Sequence, residues 1–359
     1  MSSKNSILSD LPIIIPAVLL LSFGILVIYS SSSQLGFLQA GFAILGLFIY
    51  WILSTVNFES VTNYNKTLYF ILVLLLLVIF ILGVETRGSV RWISLGPINI
   101  QPSEFAKPVI ILFLASFWAR HIPTWRNITI SLAWVLPIFL LIFIQPDLGT
   151  SLTLGAIWGM MLLGANISII KVLVMGVFAG ILMPVVWLFL KDYQKLRIHS
   201  FLSPGNDPLG VGYNVIQATI AVGSGEIFGR GLGQGTQSRL QFLPEFRTDF
   251  IFASIAEEFG FLGSAIVLTL YGILIFKCLQ ILSRSRSRFG GLVLFGFLGM
   301  FLFQIIVNVG MNIGIMPVTG ITLPLLSYGG SSLFATLVCL SFVSSVSRFT
   351  SKTKMYLGD

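Results

Sequence analysis

Leu243-Pro-Glu-Phe-Arg-Thr-Asp249-Phe-Ile-Phe-Ala-Ser-Ile-Ala-Glu257-Glu258, with the apolar run that continues it to Leu282, decides how this chain is read. Pro244 closes a polar, Gly-rich loop, and from Phe250 onward the residues are mostly apolar. About 20 such residues, rising 1.5 Å each, cross a hydrocarbon core of about 30 Å, so the run predicts a membrane helix with one polar end. Thr248 can cap that helix, which puts Asp249 at its first position. A carboxylate at such a junction is costly unless paired, hydrated or used, and a helix N-terminus favours its ionised form. Asp249 is therefore either a base poised at the membrane surface or a capping residue. On one continuous helix, Glu257 lies about 80° round the axis from Asp249 and Glu258 roughly opposite. Glu257 is the one expected on the Asp249 side, and Glu258 reads as structural.

Working outward, the same apolar character recurs along all 359 residues: 56% are hydrophobic, 9% are charged, and the mean hydropathy is +0.96. Soluble domains carry about 25% charged residues. The short alternating segments of a β-barrel do not occur. The fold class is an all-α polytopic membrane protein, one integral membrane domain over 1–359. Ten transmembrane helices are expected near 11–30, 37–56, 67–84, 104–119, 128–145, 148–165, 169–190, 248–282, 289–311 and 325–347. The first run lacks a small-residue cleavage site and reads as a retained span. An even count puts both termini on one side, and the Arg284-Ser-Arg-Ser-Arg288 turn makes that side cytoplasmic. A large extracytoplasmic loop, about 191–247, then separates spans 7 and 8, and the unusual loops all face outward. The net charge of +8 sits in short loops between spans, so no nucleic-acid partner is implied. Cys278 and Cys339 fall in spans as buried thiols, and no His/Cys cluster supports a dedicated metal site.

Four constellations could carry chemistry. Arg87 and Arg91, beside Trp92 and a Gly96-Pro97 turn, suit an anionic headgroup, because arginine binds phosphate oxygens through a fork of donors. Further along that stretch, Glu104 and Lys107 share a helix face and can pair, either structurally or against a cavity. Gln145-Pro-Asp147-Leu-Gly149-Thr150 is a turn whose carboxylate can cap the next helix. In the large loop, Ala218 to Val222 could lie in the interface as a short helix. Six glycines between Gly223 and Gly235 follow, without a nucleotide fingerprint. Arg230, Arg239 and Arg247 make that loop a basic neighbour of Asp249. Finally, Gly314 to Ser332, with Pro317, Gly320, Pro324 and Ser327, breaks a helix within an apolar region, as backbone lining a cavity or packed closely does.

These stretches together resemble the SEDS family (shape, elongation, division and sporulation). The matches are Arg87-Gly with Arg91-Trp92-Ile93, Gln101-Pro-Ser-Glu104 with Lys107, Gln145-Pro-Asp147-Leu-Gly-Thr150, Leu243-Pro-Glu with Thr248-Asp249-Phe-Ile-Phe-Ala253 and Glu257-Glu258, and Leu323-Pro-Leu-Leu-Ser-Tyr-Gly-Gly-Ser-Ser332. They fall in family order and span nearly the whole chain. Gly212 to Gln217, Gly235 to Ser238 and Pro317 to Gly320 look more like the elongation branch than the division branch. Arg247 stands where the family often has His, Glu226 where Gly is usual, and Arg230 where Lys is usual.

The resemblance implies a ten-span peptidoglycan glycosyltransferase of the plasma membrane, acting on lipid II, a disaccharide-pentapeptide on undecaprenyl diphosphate. It implies partnership with a class B penicillin-binding protein and other membrane proteins of the elongation complex. Asp249 matches the family's essential aspartate. It would act as the general base, while Arg87, Arg91, Lys107, Arg230 and Arg239 hold the diphosphate leaving group. Glu104, Glu257 and Ser327 are expected at the same cavity. A divalent cation, magnesium or manganese, could share the charge; no other cofactor is expected. The rival readings are a flippase for lipid-linked precursors and a non-enzymatic scaffold for the transpeptidase.

Overall fold

The computed structural model describes residues 2–60, 62–86, 89–95, 98–203, 211–240 and 242–356. Helices α1 (Ser2–Ser31), α2 (Ser33–Ser54), α3 (Asn65–Leu82), α4 (Pro102–Arg120), α5 (Trp125–Ile144), α6 (Leu148–Gly164) and α7 (Ile169–Phe189) form the first part of the chain. Three short helices follow: α8 (Asp192–Leu202), α9 (Val211–Ser224) and α10 (Thr236–Arg239). Then come α11 (Ile251–Arg284), α12 (Arg288–Asn312) and α13 (Gly330–Tyr356). A long helix lies over each of the ten apolar runs, and among the described residues seven of these helices are long and apolar enough to cross a membrane. Their outer faces carry bare hydrophobic side chains such as Ile44, Phe70 and Ile81, the last 83% exposed, which only lipid would solvate favourably.

Local signals set several helix starts. Thr124 accepts from the Asn127 amide at the head of α5, and Ser287 from the Gly290 amide at the head of α12. Pro102 opens α4, where its missing N–H costs nothing. Of these seven, the most enclosed are α12 and α13. Helix α12 packs on α6, α4 and α11, while α13 packs on α2 and α4. Gly299 lets α12 approach α6 closely: a Cβ there would lie 2.9 Å from the Ala156 carbonyl oxygen.

The structure departs from the sequence reading in three places. The segment before α4 is not a plain loop. Strands β1 (Val84–Thr86), β2 (Ser89–Leu95) and β3 (Ile98–Ile100) form an antiparallel sheet in the order β1-β2-β3, with Trp92 opposite Val84 and Ile93 opposite Ile100. The last span starts at Gly330, five residues later than expected, because Ile313 to Gly329 runs as irregular backbone across the bundle.

The third departure is in α11, which is broken at Gly260 (φ +66°, ψ −159°). The glycine loop enters the break. The amides of Arg230 and Gly231 donate to the carbonyls of Glu257 and Glu258 (2.9 and 3.0 Å), and those of Phe261 and Leu262 donate to Glu226 and Ile227 (2.8 and 3.1 Å). The loop thus replaces the helical bonds that the break removes. Gly229 and Gly260 allow it, since a Cβ on Gly229 would lie 2.2 Å from the Glu258 carbonyl oxygen, and one on Gly260 would lie 2.4 Å from the Gly229 nitrogen.

Candidate active site

Asp249 does not stand at the first turn of α11. The helix begins at Ile251 with Phe250 in the cap position, and the Thr248 hydroxyl bonds within its own turn, to Glu245. The cap comes from a different helix: Asn312 Oδ1 on α12 accepts from the Ala253 amide at 3.0 Å. One turn earlier, Asn308 Nδ2 donates to the Asp249 carbonyl (2.9 Å) and to the Ile321 carbonyl (2.7 Å), and Asn312 Nδ2 also reaches the Asp249 carbonyl at 3.1 Å. The backbone of Asp249 is thereby fixed against both α12 and the irregular segment. Sequence reasoning missed these two asparagines. The signal was present as two amides four residues apart within an apolar span.

The turn carrying Asp249 is pinned from two further sides. The Ser327 hydroxyl donates to the Thr248 carbonyl at 2.6 Å and accepts from the Leu323 amide at 2.8 Å, while the Tyr328 amide donates to the Arg247 carbonyl. Ser327 is buried, so it supports the turn and does not line a cavity. Arg247 stacks over Phe246 and donates from Nε to Ser31 Oγ at 2.8 Å, at the end of α1 where carbonyls lack helical donors. Burial lowers the Arg247 pKa from its ordinary value and raises that of Tyr328 facing it. The arginine that replaces the usual His is thus a strut between α1 and the Asp249 turn.

The Asp249 carboxylate itself is half-buried. It lies against Gly320 of the irregular segment: the position of a Cβ on Gly320 is 3.6 Å from Asp249 Oδ2 and 3.9 Å from Arg197 Nη1. Helix α8 therefore brings a guanidinium to the same point above Gly320. Nothing in the spacing of the large loop singled out Arg197 from its other basic residues.

Asp147 behaves in the opposite way. It is the N-cap of α6, and its carboxylate accepts from the Thr150 amide (3.1 Å), Thr150 Oγ1 (2.9 Å), Gln101 Nε2 (2.9 Å) and Ser103 Oγ (3.0 Å). Beside it, Lys107 Nζ and Glu104 Oε2 pair at 2.5 Å, both buried. Arg91, expected to grip a diphosphate, donates from Nε to the Gln145 carbonyl at 2.8 Å and from Nη2 to the Pro146 carbonyl, and so clamps the turn that carries Asp147.

The remaining candidates divide in the same manner. Glu257 is expected at a cavity wall, but its carboxylate accepts four hydrogen bonds from Thr236 Oγ1, the Gln237 and Ser238 amides, and Ser238 Oγ. With no exposure, it anchors the N-terminus of α10, where amides without helical acceptors favour a negative charge. Arg230 on the glycine loop and Arg239 at the end of α10 are exposed, donating to the Ser224 and Gly233 carbonyls, respectively. Arg87 lies outside the described residues. Among the described residues, no group of three His, Cys, Asp or Glu side chains could hold a metal ion.

A family model described as "Cell cycle protein", covering FtsW, RodA and SpoVE, matches residues 10–352. The peptidoglycan glycosyltransferase MrdB of Escherichia coli K12 is 40% identical over 335 residues, 91% of this chain and 90% of its own. Stage V sporulation protein E of Bacillus subtilis is 36% identical over 363 residues, covering 95% and 97%. Among solved structures, a chain of a peptidoglycan synthase complex that coordinates polymerization and crosslinking superposes with a TM-score of 0.82 at 33% identity, covering 94% of this chain and 97% of that one. The rod shape determining protein RodA of Thermus thermophilus superposes with a TM-score of 0.71 at 29% identity, covering 94% and 96%. The chain is a multi-pass membrane protein that belongs to the FtsW, RodA and SpoVE family, and within it is most like RodA.

Proposed function

We propose that this protein is a peptidoglycan glycosyltransferase that polymerises lipid II during cell elongation, with Asp249 as general base. What carries the reading is the Asp249 turn: a half-buried carboxylate whose backbone is locked by Asn308, Asn312 and Ser327, with a guanidinium beside it. Such locking sets a base within hydrogen-bonding reach of a bound hydroxyl without reorganisation. The acceptor's 4-hydroxyl oxygen attacks C1 of the donor sugar, and the new C–O bond forms as the C1–O bond to phosphate breaks. The electron pair leaves with the undecaprenyl diphosphate, the hydroxyl proton passes to Asp249, and C1 inverts from α to β.

Basic groups, with the exposed Arg230 and Arg239 foremost, would meet the charge that develops on the diphosphate, and any magnesium or manganese arrives with that substrate. Ten helices cross the membrane and both termini lie in the cytoplasm, as the Arg284-Ser-Arg-Ser-Arg288 turn between α11 and α12 favours. The 191–247 loop and Asp249 then face outward. A class B penicillin-binding protein is the partner that crosslinks the product, in keeping with the synthase complex to which the fold is similar.

The test is polymerisation of labelled lipid II by the protein purified with its cognate transpeptidase, wild type beside Asp249→Asn. Glycan strands from wild type and none from a folded, partner-bound variant are expected. Strands from both would move the base elsewhere. Lipid II crossing vesicles without polymerisation would make the protein a transporter.

A further inference from the structure

The backbone around Gly320 contains a small notch whose geometry goes beyond the assignment of a base. Gly320 has φ +75°, in the left-handed region that glycine adopts without cost. Above its Cα, where another residue would carry Cβ, the heavy atoms within 4 Å among the described residues, its chain neighbours aside, are Asp249 Oδ2 at 3.6 Å and Arg197 Nη1 at 3.9 Å. An oxygen placed there needs to move less than 1 Å toward the carboxylate to reach hydrogen-bonding distance, about 2.6–3.2 Å.

The walls of the notch are fixed relative to each other. One amide, Asn308 Nδ2, holds the carbonyls of both Asp249 and Ile321. From behind, Gly149 of the α6 N-terminus abuts the segment, since a Cβ on it would meet the Thr319 and Gly320 carbonyl oxygens at 3.1 and 3.4 Å. Next to the notch, Thr319 is 8% exposed and its hydroxyl has no hydrogen-bond partner among the described residues. A buried hydroxyl left unpaired is costly, and a small shift of Thr319 toward the notch as the sugar docks would pair it.

We infer that the notch over Gly320, walled by Asp249 and Arg197 and neighboured by Thr319, is the seat of the acceptor's attacking hydroxyl. The inference rests on the reading of Asp249 as base and adds where the hydroxyl sits and what else holds it. Asp249 takes the proton. Arg197 donates to the sugar oxygens, and its fork of donors is what a lysine could not reproduce. Gly320 is required twice, for its backbone conformation and because a side chain would fill the seat.

The experiment separates acceptor from donor. Lipid II whose GlcNAc 4-hydroxyl is blocked by galactose can donate but not accept. Its binding to the protein–transpeptidase complex is measured beside the rate at which unblocked lipid II accepts from it. Gly320→Ala is expected to lower acceptor kcat/KM at least tenfold while binding of the blocked lipid changes less than threefold. Arg197→Lys and the isosteric Thr319→Val are expected to lower acceptor kcat/KM three- to tenfold with the same selectivity. Equal losses of donor binding and acceptor use, or an acceptor kcat/KM within threefold of wild type in the folded variants, would overturn the inference. If Gly320→Ala does not fold, Arg197→Lys and Thr319→Val decide alone. Asp249→Asn is run in parallel: an inactive Asp249→Asn beside an unimpaired Gly320→Ala removes the seat and leaves the base. An active Asp249→Asn removes the base itself.

Discussion

Asp147 and Asp249 each stand where a loop enters an apolar helix, and from sequence each could cap that helix or work as a base. In the structure Asp147 caps α6 and is saturated by four hydrogen bonds. Asp249 stands ahead of the cap position of α11, whose amide at Ala253 is taken by Asn312. Capping consumes a carboxylate, because oxygens that satisfy helical amides are unavailable to a substrate hydroxyl. Where a neighbouring helix supplies the cap, a carboxylate can stay at the junction, held by its backbone and beside a guanidinium. The two turns meet at the Thr319–Ile321 segment: both Gly149 and Asp249 lie against it. The rigid Asp147 turn thus supports the site while the Asp249 turn supplies the reactive group.

The most direct way to break this contrast is to treat the two aspartates alike. Asp249→Asn is expected to slow polymerisation by about 10²–10⁴-fold, the contribution of a general base. The variant should still fold, because Asn308, Asn312 and Ser327 hold the turn through its backbone. Retained activity would erase the distinction. The next effect tests the Asp147 side. Lys107→Met strands a buried Glu104 and is expected to cost about 3–5 kcal/mol of stability in chemical denaturation. A loss below about 1 kcal/mol would show that the pair is hydrated and open to ligand.

Asp147→Ala removes a cap and its crosslinks, with an expected cost of about 1–3 kcal/mol. The folded fraction should keep most of its turnover per molecule; a loss comparable to Asp249→Asn would promote Asp147 to a chemical role. Asn312→Ala sharpens the comparison from the other direction. It uncaps α11 and should cost about 1–2 kcal/mol, with a loss of turnover below tenfold because Asn308 still holds the Asp249 carbonyl. Glu257→Gln changes shape least: one oxygen still accepts from α10 while the new NH2 meets the other donors, so a cost of about 1–3 kcal/mol is expected with turnover near wild type. A steep loss of activity there would return Glu257 to the cavity wall.

Much of this was legible in the chain itself. Long apolar runs have no alternative to helices in a bilayer, because every backbone polar group must be satisfied within the segment. Their places along the sequence therefore followed from composition. Asp249, the Glu104–Lys107 pair, the Asp147 turn and the helix-breaking Gly314 to Ser332 stretch all announced themselves as polar or irregular features in an apolar background. What each polar residue does was decided by partners remote in sequence. Arg91 clamps residues 145 and 146, Glu257 is held by hydrogen bonds from 236–238, and Asn308 and Asn312 fix residue 249. The break in α11 was equally hidden, because it exists only when residues 226–231 enter it. Sequence by itself determined which groups must find partners, since burial in an apolar medium makes an unpaired group costly. Only the tertiary structure decided which partners they found, because hydrogen bonds are short and directional, and only folding brings distant residues within 3 Å of one another.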